Sequence, residues 1–314
     1  MPLDPHVKRL LDMLAAAGPV GVAHATLRDR RQAFQNLMRF SETNVAIGRV
    51  EDRRLPATEG DIAVRIYTPV AADAEQLPGL VYFHGGGLVA GSVQTHDGVC
   101  RTLSNEACCR VVSVDYRLAP EHKFPAAIAD ANAATLWVLE NASELGIDPD
   151  RIGVGGDSAG GTLAAVTCQT IRRRAGVKLA FQLLLCPILD FTTETKSRAA
   201  FFRGYLLEKE MMDRDLECYV PVGMDLGDPR VSPLRVADFS ALPPAYIHAA
   251  EFDPLRDEAE AYANGLRSAG VAADYTCHPG MIHLFFGMAS VIPYGRSAMK
   301  MIGRQMRTAL QHCG

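Results

Sequence analysis

The sequence predicts an α/β fold whose mostly parallel sheet is covered by helices on both faces. From residue 79 onward, short apolar stretches alternate with longer stretches in which apolar residues recur at helical spacing. Near-continuous apolar strands of this kind are typical of parallel sheets that are buried on both sides. The chain has 314 residues, 48% of them hydrophobic, which is enough for one large domain of this class.

The alternating segments follow one another in a regular order along the chain. The predicted strands are Leu80–Phe83, Val111–Tyr116, Ile152–Gly155, Leu179–Cys186, Ala245–Ala250 and Val271–Thr276. The predicted helices are Gly98–Glu106, Ala126–Glu140, Gly161–Arg174, Arg256–Ala269 and Ser297–Leu310. We therefore expect a single domain over residues 1–314 with the parallel strands at its centre.

The segments that precede this alternation have a different pattern. Pro5–Ala17 and Thr26–Arg39 carry apolar residues at helical spacing, and each predicts an amphipathic helix. Val45–Pro56 and Ile62–Pro69 are predicted to be extended and to be joined by a turn at residues 59–60. The first 45 or so residues therefore lie outside the strand-helix alternation.

The region from Leu189 to about Gly227 also departs from the alternation. It is long for a loop and contains helical material at Phe201–Cys218. Insertions of this length in a compact domain are often lids or binding elements. Its aromatic and aliphatic side chains suit a wall over an apolar pocket, and they suit a packed surface helix equally well.

Charge and cysteine content argue against several classes of protein. The net charge of −4 and the pI of about 6.1 disfavour nucleic acid as a partner. The eight cysteines show no metal-like spacing, which predicts buried thiols in a reducing compartment and no metal site. Charged residues interrupt the N-terminal apolar run, and no stretch is long and apolar enough to cross a membrane. The sequence predicts a soluble, cytoplasmic protein.

The pentapeptide Gly156–Gly160 has the pattern G-x-S-x-G, with Ser158 at its centre. It lies between the predicted strand Ile152–Gly155 and a predicted helix, and a serine on such a turn is typical of a nucleophile elbow. Glycines on both sides permit the close approach of strand and helix, and the serine is expected in a strained conformation. Alone, the pattern is also compatible with a glycine-rich turn that has no chemical role.

A second glycine-rich motif, His84–Gly87, follows the predicted strand Leu80–Phe83. Consecutive glycines leave backbone N–H groups accessible, and HGGG is the oxyanion-hole element that accompanies this type of elbow. We assign the oxyanion donors to the N–H groups of Gly86, Gly87 and Ala159, with Gly85 as an alternative for one of them. The two motifs together favour acyl transfer through a serine nucleophile.

A serine nucleophile needs a base and a carboxylate that orients the base. Asp253 directly follows the strand Ala245–Ala250, and Pro254 restrains it to an extended conformation. Alternatively, Asp253 is only the N-cap of the next helix. The two roles are compatible if one carboxylate both caps the helix and orients the histidine. Glu251 and Asp257 are the rival carboxylates, but Asp257 should already lie on the helix with less reach.

Two histidines follow the last predicted strand and could act as the base. His278 lies directly before a Pro-Gly turn, and His283 lies beyond it, where the chain could turn back over the sheet. The residues alone favour His283 only modestly. The order Ser158, Asp253, His283 along the chain is the α/β-hydrolase order.

These motifs resemble the hormone-sensitive-lipase-like esterases, also called bacterial family IV, of the α/β-hydrolase superfamily. The matching runs are HGGG at 84–87, DYRLAPE at 115–121, GDSAGG at 156–161, DPLRDE at 253–258 and PGMIH at 279–283. The resemblance implies an α/β-hydrolase fold with Ser158 as nucleophile, Asp253 as acid and His283 rather than His278 as base. It also implies a helical cap formed by residues 1–45 and 189–227.

The implied function is a serine carboxylesterase that hydrolyses short- to medium-chain acyl esters through an acyl-enzyme, with no metal or organic cofactor. The expected partner is a small-molecule ester, and because relatives often dimerise, a homodimer is a further expectation. Hydrolysis of amides, lactones or carbamates would use the same machinery. A small-molecule receptor on the same fold is a second class of function, since fold does not fix function.

Overall fold

A computed structural model of the chain describes residues 2–16, 26–41, 44–72, 74–174 and 176–311. The strands are β1 (Arg49–Leu55), β2 (Ile62–Thr68), β3 (Leu77–Phe83), β4 (Arg110–Asp115), β5 (Ile147–Asp157), β6 (Gln182–Leu185), β7 (Ala245–Phe252) and β8 (Ala273–Ile282). The helices are α1 (Pro5–Ala16), α2 (Leu27–Met38), α3 (Asp97–Ala107), α4 (Ala126–Glu140), α5 (Ala159–Ile171), α6 (Lys196–Phe201), α7 (Lys209–Tyr219), α8 (Arg256–Ser268) and α9 (Pro293–Gln311).

The strands form one sheet in the order β1-β2-β4-β3-β5-β6-β7-β8. β1 pairs antiparallel with β2, and β2 pairs antiparallel with β4. All the other neighbouring strands pair in parallel, which confirms the predicted α/β class. In the register of β3 and β5, Phe83 lies opposite Gly156, so the glycine loop and the serine turn leave the sheet side by side. In the register of β7 and β8, Phe252 lies opposite Ile282, which brings the residues after both strands together.

Apolar side chains fill both faces of the sheet. Val81 and Phe83 belong to the core on the face covered by α4, α5 and α8. Leu80 belongs to the core on the opposite face, with side chains from α3, α9, α1 and α2. Because successive residues of a strand point to opposite faces, a continuous apolar strand such as β3 can supply both cores.

The predicted segments agree with the structure apart from their ends and one helix. The predicted strand Leu179–Cys186 is shorter, since only Gln182–Leu185 pairs in the sheet. The predicted helical segment Phe201–Cys218 is helical from Lys209 onward, in α7, but the prediction is wrong for residues 202–208, which separate α6 from α7. Gly204 and Leu206 between them have φ values of 82° and 80°, which a continuous right-handed helix cannot contain. Ala17, at the end of the first predicted helix, lies outside the described residues.

Two further expectations concern the burial of the cysteine thiols and the lack of a membrane-spanning stretch. Every cysteine in the part of the chain that the structure describes is free; Cys100, Cys109, Cys168 and Cys186 are buried, whereas Cys108, Cys218 and Cys277 are partly exposed. The expectation of buried thiols is therefore wrong for the last three. Across the described ranges, no helix combines the length and the apolar character needed to traverse a bilayer.

Candidate active site

Ser158 lies at the sharp turn between β5 and α5, with φ 52° and ψ −118°. A Cβ built on Gly160 would lie 1.9 Å from the carbonyl oxygen of Phe83, and one on Gly156 would lie 2.4 Å from the backbone of Gly160. Only glycine therefore allows the turn to pack this closely on β3. The serine takes a backbone conformation that side chains rarely adopt, and such strain is found mostly at functional sites.

A chain of hydrogen bonds joins Ser158, His283 and Asp253. The distance from His283 Nε2 to Ser158 Oγ is 3.1 Å, and that from His283 Nδ1 to Asp253 Oδ2 is 2.8 Å. All three side chains are buried. A carboxylate only accepts, so Nδ1 carries the proton of a neutral ring, and Nε2 is left to accept the serine hydroxyl proton.

The second oxygen of Asp253 accepts a hydrogen bond from the N–H of Leu255 at 2.9 Å. The carboxylate is thus fixed at both oxygens, one by the chain before α8 and one by His283. The N-cap position of α8 is occupied by Leu255 rather than by Asp253, so the N-cap interpretation of Asp253 is wrong. The rival carboxylates are engaged elsewhere, Glu251 with the Gly280 N–H and Asp257 with the Ser197 N–H, each at 2.8 Å.

β8 continues through Pro279 and Gly280 to Ile282, so the Pro-Gly turn expected after His278 is wrong, and His278 lies within the strand. Its Nε2 lies 3.1 Å from His248 Nδ1, and its Nδ1 lies 3.1 Å from the hydroxyl of Tyr294. Burial lowers the pKa of His278 to about 4, and burial together with His278 lowers the pKa of His248 to about 3. The structure therefore places His283, and not His278, beside Ser158.

The glycine loop leaves β3 next to the serine turn and is held by several contacts. Gly86 and Gly87 have φ values of 123° and 69°, which glycine adopts without strain. The Nδ1 of His84 lies 2.8 Å from the carbonyl oxygen of Gly85, and the hydroxyl of Tyr116 donates to the carbonyl of His84 at 2.6 Å. These contacts hold the start of the loop against the neighbouring chain.

Asp157, directly before the serine, connects the serine turn to this loop. Its Oδ1 accepts from the Gly85 N–H at 3.1 Å and from the Tyr82 hydroxyl at 2.6 Å, and its Oδ2 lies 3.2 Å from His96 Nε2. Burial acts to raise the pKa of Asp157, but the contacts with His96 and Tyr82 hold it below its usual value. Because the Gly85 N–H is already donated, Gly85 is a weaker candidate for the oxyanion than Gly86 and Gly87.

Sequence reasoning missed the role of Asp157, because it occupies a variable position of the G-x-S-x-G pattern. The signal that could have found it is the strand alternation. A charged side chain at the end of a buried strand, one residue before a candidate nucleophile, needs a buried partner. The partner His96 comes from the start of α3, which no local pattern connects to β5.

Among the described residues, one group has the spacing of metal-ligating side chains: Cys186, Asp253 and His283, whose ligand atoms lie within 4.8 Å of one another. The residues fit a metal poorly. His283 Nδ1 and Asp253 Oδ2 are already hydrogen-bonded to each other. Burial raises the pKa of the Cys186 thiol well above its usual value, whereas a metal binds the thiolate. The group therefore gives no basis for a metal site.

A cavity of about 920 Å³ opens onto Ser158 and His283. Its walls come from α1, α2 and the region of α7, and from the glycine loop. Most of the lining is apolar: Leu11, Leu14, Leu27, Phe34, Leu206, Leu207, Met211 and Met212. Cavities of this size and character accommodate small organic ligands.

Comparison with known proteins identifies the family to which the chain belongs. A family model for the alpha/beta hydrolase fold matches residues 80–287. Carboxylesterase NlhH of Mycobacterium tuberculosis is 42% identical over 306 residues, 94% of this chain and 92% of that relative. Ethyl acetate hydrolase of Pseudomonas putida is 36% identical, over 96% of this chain and 98% of that relative.

The solved structures give the same result. An ester-hydrolase from the metagenome of Lake Arreo, complexed with a derivative of bipyridine phosphonate, matches with a TM-score of 0.94 at 41% identity. That match covers 98% of each chain. The chain therefore belongs to the α/β-hydrolase superfamily and, within it, to the hormone-sensitive-lipase-like esterases.

Proposed function

We propose that this carboxylic ester hydrolase cleaves short- to medium-chain acyl esters by a Ser-His-Asp mechanism with an acyl-enzyme intermediate. The observation that supports the mechanism is the hydrogen-bond chain from Ser158 Oγ through His283 to Asp253. Its two bonds have the lengths and order that a nucleophile, its base and the group that orients the base require.

In the first half of the reaction, Ser158 Oγ attacks the ester carbonyl while its proton passes to His283 Nε2. The imidazolium that forms is stabilised by the buried Asp253 carboxylate, which stays ionised and holds the ring in place. Collapse of the tetrahedral intermediate transfers the proton from Nε2 to the departing alkoxide, so that the alcohol leaves and the acyl group remains on Ser158.

The negative charge on the carbonyl oxygen forms between the glycine loop and the start of α5. We assign its donors to the N–H groups of Gly86, Gly87 and Ala159. Each donor of such a site contributes roughly 10²–10³ in rate. Asp157, directly before the nucleophile, supports this arrangement because it accepts a hydrogen bond from the Gly85 N–H.

In the second half, a water molecule loses a proton to His283 Nε2 and attacks the acyl-enzyme carbonyl. The bond to Ser158 Oγ then breaks as the same proton returns to the serine, and the carboxylic acid is released. The same groups therefore act twice, and no further group is needed to complete the cycle.

We further propose that residues 1–45 and 189–227 form a cap that limits the length of the acyl chain. Described residues of both segments line the cavity, among them Leu11 and Phe34 from the first and Leu206 and Met211 from the second. An apolar chamber of about 920 Å³ can hold a short acyl chain with its alcohol. Long acyl chains would have to displace the helices that enclose it.

The test is hydrolysis of a p-nitrophenyl ester series, from acetate through butyrate and octanoate to palmitate, by the natural protein and by Ser158→Ala. We expect activity on the shorter esters, little on palmitate, and a loss of at least about 10³-fold in the variant. Thermal melting of Ser158→Ala controls for folding. Full activity in the folded variant would overturn the mechanism, and a maximum on palmitate would overturn the proposed chain-length range.

A further inference from the structure

An ion pair between Arg30 and Asp215 lies inside the mostly apolar cavity. Arg30 Nη2 lies 2.6 Å from Asp215 Oδ2, and Arg30 Nε lies 3.1 Å from Asp215 Oδ1, a two-point contact. Both side chains are mostly enclosed, with exposures of 16% and 10%, and both line the cavity with Ser158 and His283. Arg30 is on α2 and Asp215 is on α7, so the pair also joins the two segments of the proposed cap.

The Asp215 carboxylate rests directly against the glycine loop. A Cβ built on Gly87 would lie 2.1 Å from Asp215 Oδ2, so this oxygen occupies the space where a side chain would stand. Arg30 Nη2 approaches the Gly86 carbonyl oxygen at 3.5 Å. The ion pair therefore touches the two residues whose N–H groups we assign to the oxyanion.

A carboxylate in this position poses an electrostatic problem for the reaction. The transition state places a second negative charge on the carbonyl oxygen, close to Gly87, in an enclosed and weakly screened space. An uncompensated Asp215 would repel that charge. Burial raises the pKa of Asp215, and the contact with Arg30 opposes this by favouring the ionised carboxylate.

We propose that Arg30 and Asp215 are a positioning pair for acyl transfer: Asp215 braces the glycine loop from the cavity side, and Arg30 cancels its charge where the oxyanion develops. The inference rests on the proposed function, since it needs an oxyanion at the glycine loop. It explains why a charge pair stands among apolar cavity residues, where burial of ions is costly unless they are paired.

The proposal makes a prediction that simple loss of an ion pair does not make. Arg30→Gln leaves the Asp215 charge beside the developing oxyanion, and we expect kcat to fall about 10- to 100-fold. Asp215→Asn leaves the Arg30 cation instead, which does not repel the oxyanion, so kcat should fall less in this variant. The double variant Arg30→Gln/Asp215→Asn removes both charges of the pair and should recover much of the kcat lost in Arg30→Gln.

The experiment measures kcat and KM on p-nitrophenyl butyrate for the natural protein, the two single variants, the double variant and Arg30→Lys. Arg30→Lys keeps the charge and should retain most of kcat. The rate of covalent inactivation by a p-nitrophenyl phosphonate ester gives a second readout, because its phosphoryl oxygen occupies the oxyanion position. We expect this rate to follow kcat across the set.

Controls separate this effect from general damage to α2 and α7. Arg28→Gln changes an exposed charge on α2, and Asp213→Asn breaks the exposed Lys209–Asp213 pair on α7; neither should change kcat. Melting temperatures of all variants report on folding. If Ser158→Ala is inactive, two results would overturn the inference. One is a double variant whose kcat is no higher than that of Arg30→Gln, and the other is a set of variants in which only KM changes. An active, folded Ser158→Ala would instead overturn the proposed function and this inference with it.

Discussion

The Asp157 carboxylate accepts a hydrogen bond from the Gly85 N–H at 3.1 Å, so the residue before Ser158 holds the loop that faces Ser158. The parallel register of β3 and β5 makes this contact available, because Gly85 follows the end of β3 and Asp157 ends β5. The nucleophile and the proposed oxyanion donors are thus tied together by one buried side chain.

Asp157→Ala is expected to lower kcat about 10- to 100-fold with a smaller effect on KM, because the glycine loop loses its contact with β5. Asp157→Asn should keep a larger part of kcat, because its amide oxygen can still accept from Tyr82 and Gly85. Steady-state kinetics on p-nitrophenyl butyrate, well below each melting temperature, make the comparison. Asp150→Asn, at an exposed position, is the control. Equal losses in both Asp157 variants would show that the loop contact is not the deciding interaction.

Replacement of the two candidate histidines distinguishes their roles. His283→Ala removes the base beside Ser158 and should lower kcat/KM by about 10⁴-fold, whereas His278→Ala should stay within about tenfold of the natural protein. His278 contacts His248 and Tyr294, so its loss should appear mainly as a lower melting temperature. Loss of activity in His278→Ala alone would reverse the assignment.

Gly160→Ala is expected to destabilise the fold by about 2 kcal/mol or more, because the added methyl group would meet the Phe83 carbonyl oxygen at 1.9 Å. β3 and α5 would have to separate, which also disturbs the serine turn. Gly227→Ala is the matched control, since the nearest group is a flexible side chain at 3.2 Å. Urea unfolding gives the free energies of both variants. A Gly160→Ala protein as stable as Gly227→Ala would contradict the close packing of the turn.

The His248–His278 pair predicts a loss of stability in acid. Both rings have folded-state pKa values far below the usual 6.5, at about 3 and about 4, because burial disfavours their charged forms. The unfolded chain therefore binds more protons below pH 6.5, and the free energy of unfolding falls as the pH drops from about 6.5 towards 4. Each histidine contributes about 1.4 kcal/mol per pH unit in this window.

Urea unfolding of the natural protein and of His278→Phe between pH 7 and pH 5 checks this expectation. The variant lacks one titrating ring, so its stability should depend less steeply on pH by about 1.4 kcal/mol per unit below pH 6.5. The absolute stability of the variant is not the readout, because the replacement also changes packing around Tyr294. Identical slopes for the two proteins would refute the contribution of His278.

Local patterns in the sequence were sufficient for the parallel sheet, the serine turn and the glycine loop. Each of them depends on residues that are neighbours in the chain: apolar runs mark strands such as β3, and glycines mark the tight turns at 84–87 and 156–160. The choice of His283 rather than His278 as the base does not follow from such local patterns, because the residues alone favour His283 only modestly. The resemblance to known esterases made that assignment, and the structure places His283 as expected.

The contacts that the sequence could not predict join residues far apart in the chain. Arg30 and Asp215 are 185 residues apart, and His96 and Asp157 are 61 residues apart. The break between α6 and α7 depends on positive φ values at residues 204 and 206, one of them a leucine, which propensity does not reveal. The cap, the homodimer and the cytoplasmic location stay predictions.

The backbone of Ser158 has φ 52°, a region that glycine enters freely and other residues enter at a cost of about 1–3 kcal/mol. The same turn with glycine in place of the serine would therefore be easier to fold and chemically inert. At residue 158, the residue that would best stabilise the fold therefore differs from the residue that the reaction needs. The tightly packed strands on either side of Ser158 supply enough stability to offset the cost of its backbone conformation.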